Sequence, residues 1–191
     1  MGKDIFWSNI FKLEKKKESL RNFLKNNPLF EGFSTRDINS IEKLVHIRRF
    51  KKNEIVFKED EPGTGMYIIR SGNIRISKQK KTAQNPHEEE IIVCLKEGDF
   101  FGELTLIEKT KFPRTASAYA DRDSELIGFF KPDILEIIER NPRLGVKIVL
   151  RISEIIGARL RTTTANRSEK KDEIKRLKEQ LPQKEEPVTP L

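Results

Sequence analysis

Cysteine occurs once in this sequence, at Cys94. A single thiol cannot close an internal disulfide, so an apolar core rather than a cross-linked framework must hold the fold. Histidine is nearly as scarce, with only His46 and His87. That shortage excludes the converging His and carboxylate sets of metal-dependent enzymes built on β-barrels. A Cys–His nucleophile pair is excluded too, because no motif places a histidine beside Cys94. Nor does any apolar run approach the roughly 20 residues needed to span a bilayer. Ile5-Phe6-Trp7 is too short for a secretory signal and precedes a lysine-rich segment, while Phe6 stands where an acylation signal needs Ser or Thr. Together these absences predict a cytoplasmic protein without enzymatic activity and with no metal or cofactor.

What is present is a chain of 191 residues, 36% hydrophobic and 36% charged, enough for one domain with a core and polar extensions. The formal net charge of +8 owes much to Lys12, Lys15, Lys16, Lys17, Arg21 and Lys25 near the N-terminus. A moderately basic domain suits a small anionic ligand as well as nucleic acid, so charge alone does not choose the partner.

The stretch Glu97 to Ala120, EGDFFGELTLIEKTKFPRTASAYA, carries the chemistry. A Gly-Asp turn leads into Gly102-Glu103-Leu104, which can start a short helix. Helix starts leave backbone N–H groups without intrahelical partners, so Gly102, Leu104 and Thr105 can aim amides at a phosphate. Arg114 adds a permanently charged fork able to pair with two phosphate oxygens. Glu103 would repel a phosphate and therefore suits a sugar hydroxyl.

Phe101-Gly102-Glu103-Leu104-Thr105-Leu106 followed by Pro113-Arg114-Thr115-Ala116 resembles the phosphate-binding cassette of cyclic nucleotide-binding domains. The resemblance implies a β-roll receptor for cyclic AMP or cyclic GMP. It assigns the ribose 2′-hydroxyl to Glu103 and the cyclic phosphate to Arg114. Backbone contacts fall to Gly102, Leu104, Thr105, Thr115 and Ala116, and the base pocket to Val93. Thr115 resembles a hydroxyl found in members of either base preference and does not decide between adenine and guanine.

The fold expected is α+β and mainly β: an antiparallel, jelly-roll-like β-roll with N-terminal helices and two C-terminal helices. Residues 1–27 read as an N-terminal amphipathic helix ended by Asn26-Asn27-Pro28. Such a helix packs on its own domain or a dimer mate more often than on an anionic membrane surface. Ser34, Thr35 and Asp37 cap a helix running to about Val45. Alternating apolar residues then predict strands over 46–50, 54–57, 66–69, 74–77, 90–95, 115–120 and 124–130, with a polar hairpin tip over 79–88. Lys131-Pro132 opens a helix, and a longer one runs from about Arg143 to Thr164.

Val149, Ile152, Ile156 and Leu160 form an apolar seam on that last helix, which predicts a homodimer through 143–164. By the resemblance, Thr163 and Thr164 meet the base and Arg159 pairs with Glu103. The binding domain is thus expected over 28–164, followed by a polar tail at 165–191 in which disorder weighs at least as much as a weak helix. That tail, with Pro182, Pro187 and Pro190, leaves no room for a DNA-reading helix pair, so a protein partner rather than DNA is expected to receive the signal. The rival reading is a β-roll interaction module that has lost nucleotide binding, and retention of both Glu103 and Arg114 argues against it.

Overall fold

The computed structural model describes residues 19–80, 89–107 and 113–180. Most of the predicted N-terminal helix, the tip of the polar hairpin with His87, and the last part of the tail lie outside these residues. The chain divides into two units, Met1–Arg151 and Ile152–Leu191.

In the first unit, residues 19–26 are helical (α1). Asn27 ends that helix. Its side chain accepts a hydrogen bond from the Leu29 amide at 2.9 Å and donates to the Gly98 carbonyl at 2.9 Å, fixing the start of a 3-10 turn over Pro28–Phe30 against a distant loop. Helix α2 (Thr35–Glu42) begins in a reciprocal cap: the Asp37 amide donates to the Ser34 hydroxyl, and the Ser34 amide donates to the Asp37 carboxylate. The cap was predicted, but the helix stops at Glu42 rather than near Val45.

Among the described residues eight strands follow, in two four-stranded antiparallel sheets. One runs β1 (His46–Phe50), β8 (Ser124–Phe130), β3 (Gly65–Ser71), β6 (Phe100–Phe101); the other runs β2 (Ile55–Phe57), β7 (Ser117–Ala120), β4 (Asn73–Gln79), β5 (Glu89–Lys96). This is the antiparallel β-roll expected. Between the sheets sit Tyr67, Ile69, Ile74, Phe101, Ala118, Ala120 and Leu126, each nearly or fully buried. Neighbouring positions on β3 and β8 (Met66, Ile68, Ile127 and Phe129) are also fully buried, which explains the continuous apolar runs in those two strands. Each such side chain removed from water contributes roughly 1.5–3 kcal/mol.

Strand β6 was not foreseen. Two phenylalanines cannot show an alternation, and their strand pairing depends on Tyr67 and Ile68 far away in sequence. Helix α3 (Leu104–Ile107) is the short helix predicted in the cassette, and α4 (Lys131–Arg140) starts at Lys131-Pro132, where the Asp133 carboxylate accepts from the Phe130 amide at 2.7 Å. Helix α5 (Pro142–Gln180) crosses from the first unit into the second. Its length corrects the expected stop at Thr164 and the expected disorder over 165–180. That stretch holds no Pro or Gly and is rich in Lys, Glu, Arg and Gln, residues that lose little freedom in a helix even with few apolar contacts. Among the described residues no helix is long and apolar enough to cross a membrane.

Candidate functional site

Arg114 is the centre of the site. It is 6% exposed, the only cationic side chain among the buried polar residues of the described chain. Its backbone is pinned to the 60–62 turn: the Arg114 amide donates to the Glu61 carbonyl at 2.8 Å, and its carbonyl accepts from the Asp60 amide at 2.9 Å. Pro113 faces Pro62 in a β-bridge. The side chain is therefore launched inward from a fixed point.

Three elements receive the guanidinium. Nη2 donates to the Gly65 carbonyl at 2.8 Å and Nη1 to the Gly102 carbonyl at 3.2 Å. Phe57 lies beneath, with its ring centroid 4.0 Å from Cζ. Nε is buried and has no hydrogen-bond partner. Among the described residues no carboxylate forms an ion pair with Arg114. Burial pushes the guanidinium below the usual arginine range, while Tyr67, Glu103 and Glu61 pull it partly back. A buried cation held by two neutral carbonyls, with its Nε–H unpartnered, is electrostatically incomplete.

The walls leave little spare room. Gly102 has φ of +79°, a conformation that favours glycine, and a Cβ there would lie 2.6 Å from Arg114 Nη1. At Gly63 an added Cβ would collide with the Thr105 side chain and lie 3.3 Å from Arg114 Nε. The Thr105 hydroxyl is within hydrogen-bond distance of the Gly102 carbonyl at 2.9 Å and the Gly65 carbonyl at 3.2 Å, so it ties the start of α3 to β3.

The structure thus brings Gly102, Thr105 and Arg114 into direct contact. Glu103 is half-buried next to Gly102 and close enough to act on the Arg114 charge. Leu104 opens α3 with its side chain 44% exposed. Thr115 is exposed and Ala116 half-buried, both following Arg114 along the chain. Val93 lies on β5 opposite Ile76 and is 41% exposed. Arg159 and Thr163 belong to the second unit, on α5, where the Thr163 hydroxyl donates to the Arg159 carbonyl at 2.9 Å.

Phe57, Gly65 and Tyr67 were missed as parts of the site by sequence reasoning. Nothing local marks them, since each reaches Arg114 only through strand pairing; a glycine next to the Glu61-Pro62-Gly63 turn is the one trace. Among the described residues no group of three or more His, Cys, Asp or Glu could hold a metal ion.

Comparison with known proteins shows what the chain is similar to. Residues 47–141 match the family model described as "Cyclic nucleotide-binding domain". The chain is 29% identical over 119 residues to the cyclic AMP receptor protein of Thermus thermophilus, covering 62% of this chain and 52% of that protein. It is 33% identical over 98 residues to a cAMP-dependent protein kinase regulatory subunit of Mycosarcoma maydis, covering 51% of this chain and 17% of that one. The crystal structure of the Thermus thermophilus catabolite activator protein superposes with a TM-score of 0.63 at 26% identity, over 74% of this chain and 62% of that one. The chain therefore spans about half or less of the length of these curated relatives.

Proposed function

Since the chain belongs to the cyclic nucleotide-binding domain family, we propose that it is a non-catalytic receptor for a cyclic nucleotide, cyclic AMP ahead of cyclic GMP. The unspent Nε of buried Arg114 carries this reading. A cyclic phosphodiester is a compact monoanion of the size such a donor requires, and its bond to a charged donor is worth about 1.5–3 kcal/mol. Gly102, Leu104, Thr105, Thr115 and Ala116 supply backbone contacts around it, and Glu103 accepts from the ribose 2′-hydroxyl. Val93 borders the base.

On α5, the Thr163 hydroxyl spends its proton on the Arg159 carbonyl and keeps lone pairs to accept from an adenine amino group. Adenine is favoured on the cyclic AMP named for the Thermus thermophilus receptor and the Mycosarcoma maydis kinase subunit. Arg159 is assigned to Glu103. Signalling follows if α5 occupies two positions that bind nucleotide with different affinity, the shift being read by a protein partner or a second copy along 143–164 rather than by DNA. The N-terminal segment serves that docking in preference to a membrane surface, and the setting is the cytoplasm.

Titration calorimetry of the full chain with cyclic AMP, cyclic GMP and linear AMP tests the proposal. Binding of cyclic AMP with linear AMP weaker is expected. Binding of neither cyclic nucleotide at millimolar concentration overturns it in favour of a β-roll interaction module.

A further inference from the structure

Strand β5 is the edge of its sheet, and among the described residues it pairs with β4 alone. An edge strand presents backbone N–H and C=O groups that have no ladder partner, and β5, at 8 residues, is longer than most strands. Its middle is Ile91-Ile92-Val93-Cys94-Leu95, without charge or proline. Ile91 and Ile92 are 57% and 55% exposed, and Val93 is exposed beside them. Sheet edges are usually guarded by charged side chains, proline or bulges. The one guard within 91–95 is a bulge at Ile92, which stands between the pairs Ile76–Val93 and Ser77–Ile91.

Charge sits only at the two ends of β5, and with opposite sign: Glu89 and Glu90 at the start, Lys96 at the finish. Glu89 is spent on its own sheet, where it accepts from the Tyr119 hydroxyl at 2.7 Å and the Ser77 hydroxyl at 3.0 Å. Glu90 and Lys96 are exposed, and among the described residues neither enters an ion pair. A strand with unlike ends is complementary to itself turned round. In a twofold antiparallel pair one residue faces its own copy, and positions equally far on either side of it face each other. Centred on Val93, such a pair sets Glu90 opposite Lys96 of the second copy, twice by symmetry. Between these ends Ile91 faces Leu95 and Ile92 faces Cys94. Centring on Cys94 would set Ile92 against Lys96, and centring on Ile92 would set Glu90 against Cys94. Only the Val93 register matches both charge and apolarity.

We infer that β5 is a homotypic interface, to which a second copy of this chain adds its own β5 antiparallel, centred on Val93, so that two four-stranded sheets join into one. The contact is separate from pairing along 143–164 and does not depend on the receptor reading.

Analytical ultracentrifugation of the full chain tests this through two exposed charges. The unaltered chain is expected to self-associate. Glu90→Lys and Lys96→Glu each set like charges opposite one another at both ends of the pairing, and each is expected to raise the dissociation constant about tenfold. The double variant exchanges the two signs and is expected to return to the original value. A monomeric unaltered chain, or a double variant as weak as the single ones, overturns the inference. Single variants that associate like the unaltered chain overturn it too, and point to 143–164 instead. Oxidation checks the register. In a Cys94→Ser background Val93→Cys is expected to give a disulfide-linked dimer, because facing residues of an antiparallel pair lie about 4.5–5.5 Å apart at Cα, within disulfide reach. Glu90→Cys in the same background faces Lys96 rather than its own copy and is expected to stay unlinked. No cross-link at Val93, or equal cross-linking at the two positions, overturns the inference.

Discussion

Arg114 Cζ stands 4.0 Å from the centroid of the Phe57 ring, so an aromatic face rather than a carboxylate offsets the charge from below. A carboxylate there would neutralise the guanidinium and compete with an anionic ligand. The π face steadies the cation and leaves its edge donors for the ligand. Phe57→Leu is therefore expected to weaken cyclic AMP binding by about 1 kcal/mol, roughly fivefold, with Phe57→Trp retaining affinity. Calorimetry on both variants checks this, and equal losses in the two would contradict it.

Arg114→Leu removes the one buried cation of the site. Affinity for cyclic AMP is expected to fall by at least about 2 kcal/mol, because a charge-assisted pair is lost from a desolvated position. Unchanged affinity would move the pocket elsewhere.

Gly63→Ala sets a methyl group against the Thr105 side chain. Overpacking of this kind costs roughly 1–3 kcal/mol, here expressed as a lower melting temperature and weaker nucleotide binding. Thr105→Ser deletes the methyl that suffers most while keeping the hydroxyl that bridges Gly65 and Gly102. The double variant is expected to recover part of both losses. A double variant that melts no higher than Gly63→Ala alone would show that the clash is not what matters.

Asp37 links α2 to the first turns of α5. Burial acts to raise its pKa, but bonds from the Ser34 amide and hydroxyl and the nearby Lys147 ammonium outweigh that and hold it below the ordinary value of 3.8. A carboxyl with a depressed folded-state pKa adds stability above its unfolded value, and that stability is lost as pH falls through the folded one. Asp37→Asn is thus expected to be less stable than the unaltered chain at neutral pH. The gap should close as pH drops below about 3.8. Denaturant unfolding across that range checks the sign, and a gap that persists at lower pH would remove the charge from the account.

The cassette was legible in the sequence because its work is local. Gly102 needs a left-handed backbone, Leu104 starts a helix, and Arg114 follows Pro113, all within one stretch. Strand β1 and strand β8 were legible to the residue, since the turns that bound them lie next to them in sequence. Phe57, Gly65 and Tyr67 were not, because their roles arise only when β2, β3 and β6 are brought together by strand pairing. The reach of α5 to Gln180 was hidden for a different reason. Residues 165–180 are polar, and low hydrophobicity was weighed above the high helix propensity of their Lys, Glu and Arg.

The central claim is that the unpartnered Arg114 Nε–H exists to meet an anion. Nitrogen-15 NMR observes that group directly, with its signal assigned by disappearance in Arg114→Lys. On adding cyclic AMP the Nε–H resonance is expected to shift and its exchange with water to slow. A resonance that neither shifts nor gains protection at saturating cyclic AMP would contradict the account.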